Sequence, residues 1–158
     1  FKTHKVEKYY LAVSDNKPTK KQGLIKGDMA KSRRGMFKLM RSMENPAITQ
    51  FFSYNIGNKQ RLYLLKPHSG KTHQIRVALS SIGVPIIGDP LYHPNTKKNK
   101  NSITERGYLH AYALRFEYLN KRYEFVLPPT QGEFFLSEGV AEKLSKIKKP
   151  WSLSWPKL

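Results

Sequence analysis

A chain of 158 residues fits one domain on the rough scale of 100 to 200 residues per domain. Its 39% apolar and 12% aromatic content excludes disorder throughout. With 29 Lys and Arg against 11 acids, a net charge of +18 and a pI near 10.1, a polyanion is the expected partner, nucleic acid before others. The absence of Cys excludes disulfides, thiolate zinc sites and a cysteine nucleophile. No apolar run reaches the ~18 residues of a membrane span and no signal-peptide core follows the start, so the expected compartment is the cytoplasm.

Val6 to Val13 is rich in β-formers and ends at a turn cluster with Asp15, Asn16 and Pro18, which predicts a strand. Residues 20–41, broken by Gly23, Gly27 and Gly35, read as an exposed basic loop or insert with at most a short helix near Met36 to Met43. Ile48 to Ile56 and Gln60 to Leu65 predict a hairpin across Gly57, Asn58 and Lys59. Ile75, Leu79 and Ile82 then share one helix face, with Ser69 or Thr72 available as cap and Gly83 as stop. Lys97 to Lys100 reads as a surface loop. A second hairpin is expected at His110 to Tyr118 and Tyr123 to Leu127, closed by Pro128 and Pro129. Leu136, Val140, Leu144 and Ile147 predict a C-terminal helix despite Gly139, and Trp151 to Pro156 reads as surface tail, within a tail of residues 148–158. Paired antiparallel strands with interspersed helices make the fold class α+β.

Gly70, Lys71 and Thr72 resemble the end of a P-loop, but Leu65 stands where its first glycine is needed, which excludes that motif. Asp89 and His93, four apart, share a metal in principle; a structural turn is the commoner meaning of such a pair. No metal site is expected. The dense stretch runs from Lys66 to Val77 and on through Gly83 to Tyr92. It places Lys71, His73 and Arg76 at a helix N-terminus, where cations oppose the dipole. Either an anionic ligand offsets them or the turn is a solvated basic one.

These residues resemble the signature G-[RK]-T-H-Q-[IL]-R-[VL] followed by G-x-P-I-x-G-D-x-x-Y of the RluA-type RNA pseudouridine synthases. Val6 to Val13 is similar to that family's V-x-K-x-Y-x-A-x strand, Ala47 to Phe51 to its A-x-T-x-F strand, and Leu109-His110-Ala111 to its L-H-A strand. Pro128-Pro129 with Phe134-Phe135 matches its closing stretch. The resemblance implies a mixed, largely antiparallel β-sheet core with flanking helices and a cofactor-free enzyme that isomerises uridine to pseudouridine in structured RNA, rRNA or tRNA. It implies that Tyr10 packs against the flipped base and assists the proton step, and that Arg76 pairs with the catalytic aspartate. Such chemistry needs an unstacked base in a basic, aromatic pocket and a carboxylate kept ionised by an Arg.

The family's aspartate lies in an H-R-L-D-x-x-[TS]-S-G motif that this sequence lacks; its only Asp residues are Asp15, Asp28 and Asp89, the last matching the structural G-D of the signature. Ala78 and His93 depart from family positions that often hold His and Gly and bear on RNA specificity. The expectation is therefore a single, partial catalytic domain over residues 1–158, inactive alone, that pairs with a segment preceding Phe1 carrying the nucleophile. Arg76 is expected to wait unpaired for that acid, and an internal acid neutralising it would count against the enzyme. The alternative is a non-catalytic RNA-binding module; a DNA-binding architectural protein is weaker, since no helix-turn-helix is evident. Lys26, Lys31, Arg33, Arg34 and Lys38 are the expected phosphate clamps, with Lys71 and His73 nearer the pocket.

Overall fold

The computed structural model describes residues 6–94 and 107–158. The apolar runs pair as hairpins where the turns permit it. Strands β5 (Ala47–Gly57) and β6 (Gln60–Pro67) turn through Asn58 and Lys59, at φ 53 and 59. Strands β7 (Leu109–Tyr118) and β8 (Lys121–Val126) turn through Leu119 and Asn120, at φ 49 and 62. Two successive left-handed residues match the right-handed twist of the flanking strands. Strand β1 (Glu7–Ser14) lies between the hairpins, and β2 (Gln22–Gly27) closes the far edge. The resulting six-stranded sheet has the order β2-β5-β6-β1-β7-β8, and every pairing among the described residues is antiparallel. With two helices, α1 (Gln74–Ser81) and α2 (Glu138–Leu144), the class is α+β.

Residues 20–41 are not the loop that their glycines and charges suggested. Leu24 and Ile25 carry β2 along β5, where Gln22 pairs with Phe52 and Gly27 with Ala47. Instead of a helix near Met36, strands β3 (Met29–Lys31) and β4 (Phe37–Leu39) form a separate ribbon. Gly27 serves close approach, since a Cβ there would lie 2.3 Å from the carbonyl oxygen of Met40. Asp28 then fixes the return of the chain by accepting from the amides of Glu44 and Asn45 at 2.9 and 2.7 Å.

Both faces of the sheet are covered. Helix α1 and residues 84–93 lie on one face, contributing Leu79, Val84 and Ile86 to the core. The C-terminal part lies on the other. Trp151 and Trp155 are not surface tail: a 3-10 turn at Pro150–Ser152 sets their rings 6.4 and 5.7 Å from that of Tyr9, and Trp155 lies 4.7 Å from Phe52. The indole N–H of Trp155 donates to the Pro150 carbonyl at 2.8 Å, which satisfies its polar handle under cover. Helix α2 is shorter than its apolar spacing suggested. Ser137 caps it by accepting from the Val140 amide, so Leu136 falls outside and stays exposed. Lys97 to Lys100 lies outside the described residues. Among the described residues no helix is long and apolar enough to cross a membrane.

Gly139 explains how α2 reaches the end of β5, because a Cβ there would stand 2.2 Å from the carbonyl oxygen of Ile56. Gly139→Ala should therefore destabilise the chain by about 1–3 kcal/mol through overpacking, although Ala is the better helix former by about 1 kcal/mol. A urea midpoint at or above that of the wild type would contradict this close contact.

Candidate active-site cleft

Strand β1 places two neighbouring tyrosines in opposite environments. Opposite β1, the register of β7 jumps from Ala113 beside Tyr9 to Ala111 beside Tyr10, leaving Tyr112 as the extra residue of a bulge. Bulges of this kind re-aim side chains next to functional sites. Tyr9 is fully buried under the tryptophans, and burial pushes its phenol well above the ordinary range. Tyr10, half-buried on the other face, opens into a cleft of about 360 Å³. Lys8 from β1, Gly70, Lys71 and His73 from the following loop, and Arg76 from α1 line the same cleft.

The rim of this cleft is held by a residue that the sequence did not single out. Gln74, buried at the start of α1, accepts from the Ser69 hydroxyl at 2.6 Å and the Lys71 amide at 3.2 Å. Its amide nitrogen donates to the Ile48 carbonyl at 3.2 Å and the Thr49 hydroxyl at 3.1 Å. Neither Ser69 nor Thr72 caps the helix. His73 precedes it in the left-handed conformation, φ 58, with no side-chain cap bond, and Ser69 spends its hydroxyl on Gln74 instead. A polar side chain inside an apolar helix face was the available signal, and Gln74 has no catalytic chemistry to draw attention to it.

Arg76 does not wait unpaired. Its Nε and Nη2 donate to the two carboxylate oxygens of Asp89 at 2.9 and 2.8 Å, the bidentate geometry that arginine favours. Asp89 is 3% exposed, and its Oδ1 also accepts from the amides of Leu91 and Tyr92 at 3.0 and 3.2 Å. Burial pushes the Asp89 carboxyl up, but the Arg76 hydrogen bond and the two amides outweigh it and hold the group below its ordinary value. The same hydrogen bond raises Arg76 above its own. The expectation of a free guanidinium is thus overturned. Donor capacity survives, because a guanidinium has five N–H groups and Asp89 takes two of them.

The remaining expected contacts divide into two groups. Lys71 and His73 line the cleft; Lys71 donates through Nζ to the Asn45 carbonyl. Burial first, then the Arg76 charge, pushes His73 below its ordinary value. Lys26, Lys31, Arg33, Arg34 and Lys38 are exposed but do not form one strip. Lys26 lies on β2, Arg33 and Arg34 at the turn of the β3–β4 ribbon, and Lys31 and Lys38 on its opposite faces, since Lys31 pairs with Phe37 and Lys38 with Ala30. Asp89 and His93 go to separate partners, Arg76 and Asp15, His93 lying 3.0 Å from the latter.

This fold is that of the pseudouridylate synthase domains. Human RNA pseudouridylate synthase domain containing 1 superposes with a TM-score of 0.67 at 21% identity, over 98% of this chain and 69% of its own. Human RNA pseudouridylate synthase domain containing 4 gives 0.59 at 23%, over 89% and 62%. The sequence profile of the RNA pseudouridylate synthase family matches residues 1–81. An uncharacterized RNA pseudouridine synthase of Haemophilus influenzae is 49% identical over 96% of this chain and 66% of its own length. The ribosomal large subunit pseudouridine synthase C of Rickettsia bellii is 36% identical over 58% of this chain and 32% of its own. The chain belongs to the RNA pseudouridylate synthase family, in its RluA-type branch. It spans 66%, 56% and 50% of the Haemophilus influenzae, Zymomonas mobilis and Helicobacter pylori relatives.

Asp89→Asn should cost about 2–4 kcal/mol at neutral pH, because it leaves a partly buried Arg76 without its counter-charge. A carboxyl held below its ordinary value stabilises the fold above that value, 3.8, and loses this contribution as pH falls through its folded pKa. The gap between wild type and variant in urea titrations should therefore be full at pH 6 and narrow progressively as pH falls below 3.8. A gap independent of pH would refute the ion pair as its source.

Proposed function

We propose that this chain forms the base-binding and Arg-bearing part of an enzyme that isomerises uridine to pseudouridine in structured RNA, rRNA or tRNA, without a cofactor. One observation carries the reading: Tyr10 and Arg76, far apart in sequence, line one cleft with a basic rim. Isomerisation breaks the bond from ribose to uracil N1, joins the ribose to C5, and exchanges the proton lost from C5 for one gained at N1. A flipped uracil needs an aromatic face, which Tyr10 supplies, and its hydroxyl is at hand for the proton step. Lys8, Lys71 and the exposed cations of β2 and the β3–β4 ribbon hold the phosphates.

The nucleophile comes from polypeptide outside this sequence. All three aspartates are engaged: Asp15 with His93, Asp28 with the amides of Glu44 and Asn45, and Asp89 with Arg76. In this reading Arg76, oriented by Asp89, turns its unspent N–H groups to an incoming carboxylate. The chain alone is therefore inactive.

Mass spectrometry of bulk RNA tests this. The chain alone should yield no pseudouridine, and a longer protein carrying an H-R-L-D segment ahead of it should yield product. In that longer protein Tyr10→Phe and Arg76→Lys should each lower turnover by at least ~100-fold. A longer protein inactive on every RNA would favour the non-catalytic binding module, for which the engaged state of all three aspartates is the supporting observation.

Binding is tested separately. Affinity for structured RNA should fall steeply between ~50 and ~200 mM salt. Arg33→Ala with Arg34→Ala should reduce the slope of log affinity against log salt by about 0.7–0.9 for each phosphate no longer neutralised. A flat salt dependence would remove the electrostatic assignment.

A further inference from the structure

We infer that Tyr92 is a positioning residue, the latch through which the basic β3–β4 ribbon sets the wall of the cleft; this rests on the proposed RNA-modifying function. Tyr92 is 8% exposed and joins three parts of the fold. Its backbone amide donates to Asp89, the partner of Arg76. Its ring lies 5.2 Å from the Arg76 guanidinium carbon, a cation–π contact that fixes the guanidinium plane from a second side. Its hydroxyl accepts from the amide of Phe37, the first residue of β4, at 2.8 Å, and stands 3.0 Å from Nδ1 of His73.

The Phe37 N–H is a donor only, so the phenol oxygen accepts there, and the same oxygen stands within hydrogen-bond distance of Nδ1 of His73. Rings reinforce the join, with Phe37 and Tyr92 both edge-on to His73 at 5.6 and 5.7 Å. A single phenol thus ties the ribbon that carries Lys31, Arg33, Arg34 and Lys38 to two residues of the cleft. No strand of the six-stranded sheet pairs with the ribbon, since β3 and β4 pair only with each other. A phosphate held by Arg33 or Arg34 therefore bears on His73 and Arg76 through this hydroxyl. Tyr92 touches no reacting atom in this scheme.

Tyr92→Phe keeps the ring and removes the hydroxyl. Phe37→Pro removes the same bond from its donor end, at the first residue of a strand, where proline is tolerated. Each is compared with wild type in the full chain for urea midpoint, amide exchange and affinity for structured RNA. Either variant should weaken RNA binding ~10-fold, about 1.4 kcal/mol. In a background carrying Arg33→Ala and Arg34→Ala the same change should cost less than ~2-fold, the coupling expected of residues acting as one unit. A residue that only adds stability would give equal losses in both backgrounds, and that result, or no loss in either, overturns the latch. Amide exchange in Ala30 and Lys38 should also quicken at least ~10-fold while α1 stays protected; unchanged exchange across the ribbon overturns it as well. If wild type binds no RNA, the functional reading fails, and the exchange pattern alone decides whether Tyr92 holds the ribbon.

Discussion

The arrangement of the cleft depends on one carboxylate removed from water. Asp89 is buried, and a buried charge is tolerated only when paired and hydrogen-bonded. Arg76 and the amides of Leu91 and Tyr92 meet that demand together. Satisfying it draws three separate segments to one point: the first turns of α1, the 89–92 turn, and, through Tyr92, the head of β4. The guanidinium acquires a fixed plane as a by-product. A side chain so held loses little further freedom when a second acceptor arrives, which is what a positioned charge in an active site requires.

The sheet supplies the opposite wall. Strand alternation sends Tyr9 and Tyr10 to opposite faces, beside a bulge at Tyr112 on the neighbouring strand: one seals the core beneath two tryptophans and the other faces the cleft. Gln74 then ties the loop bearing Gly70, Lys71 and His73 to β5 through Ile48 and Thr49. Each wall is a rigid element, and the irregular backbone between them is anchored by side-chain amide bonds rather than by its own conformational preference. That distribution suits a site whose substrate is bulky and whose reacting atoms must be placed closely.

Legibility in the sequence followed locality. The hairpins of β5–β6 and β7–β8 and the helix at Gln74–Ser81 show in periodicity and turn residues because their determinants lie within a few positions. Strand β2 was hidden because it is an edge strand with Gln22 and Lys26 facing outward, and its glycines, which read as flexibility, admit a close backbone crossing at Gly27. The packing of Trp155 against the core is not local, because its partner, Tyr9, lies at the other end of the chain. The motif residues Tyr10 and Arg76 stand out by family resemblance and line one cleft, while the pairing of Arg76 with Asp89 leaves no mark in the sequence because a thirteen-residue separation through a turn carries no periodic signal. Gln74 and Tyr92 stood inside the recognised motifs yet escaped notice, since they act through geometry rather than reactive chemistry.

The contact of Trp155 with Tyr9 and Phe52 has a consequence for biosynthesis. The chain must leave the ribosome as far as Trp155 before the apolar side of the central strands is sealed, so the nascent sheet emerges with a sticky flank and no lid. Such a topology postpones this cooperative step until Trp155 has emerged, and it makes truncation ahead of Trp155 a route to aggregation rather than to a slightly shorter folded product.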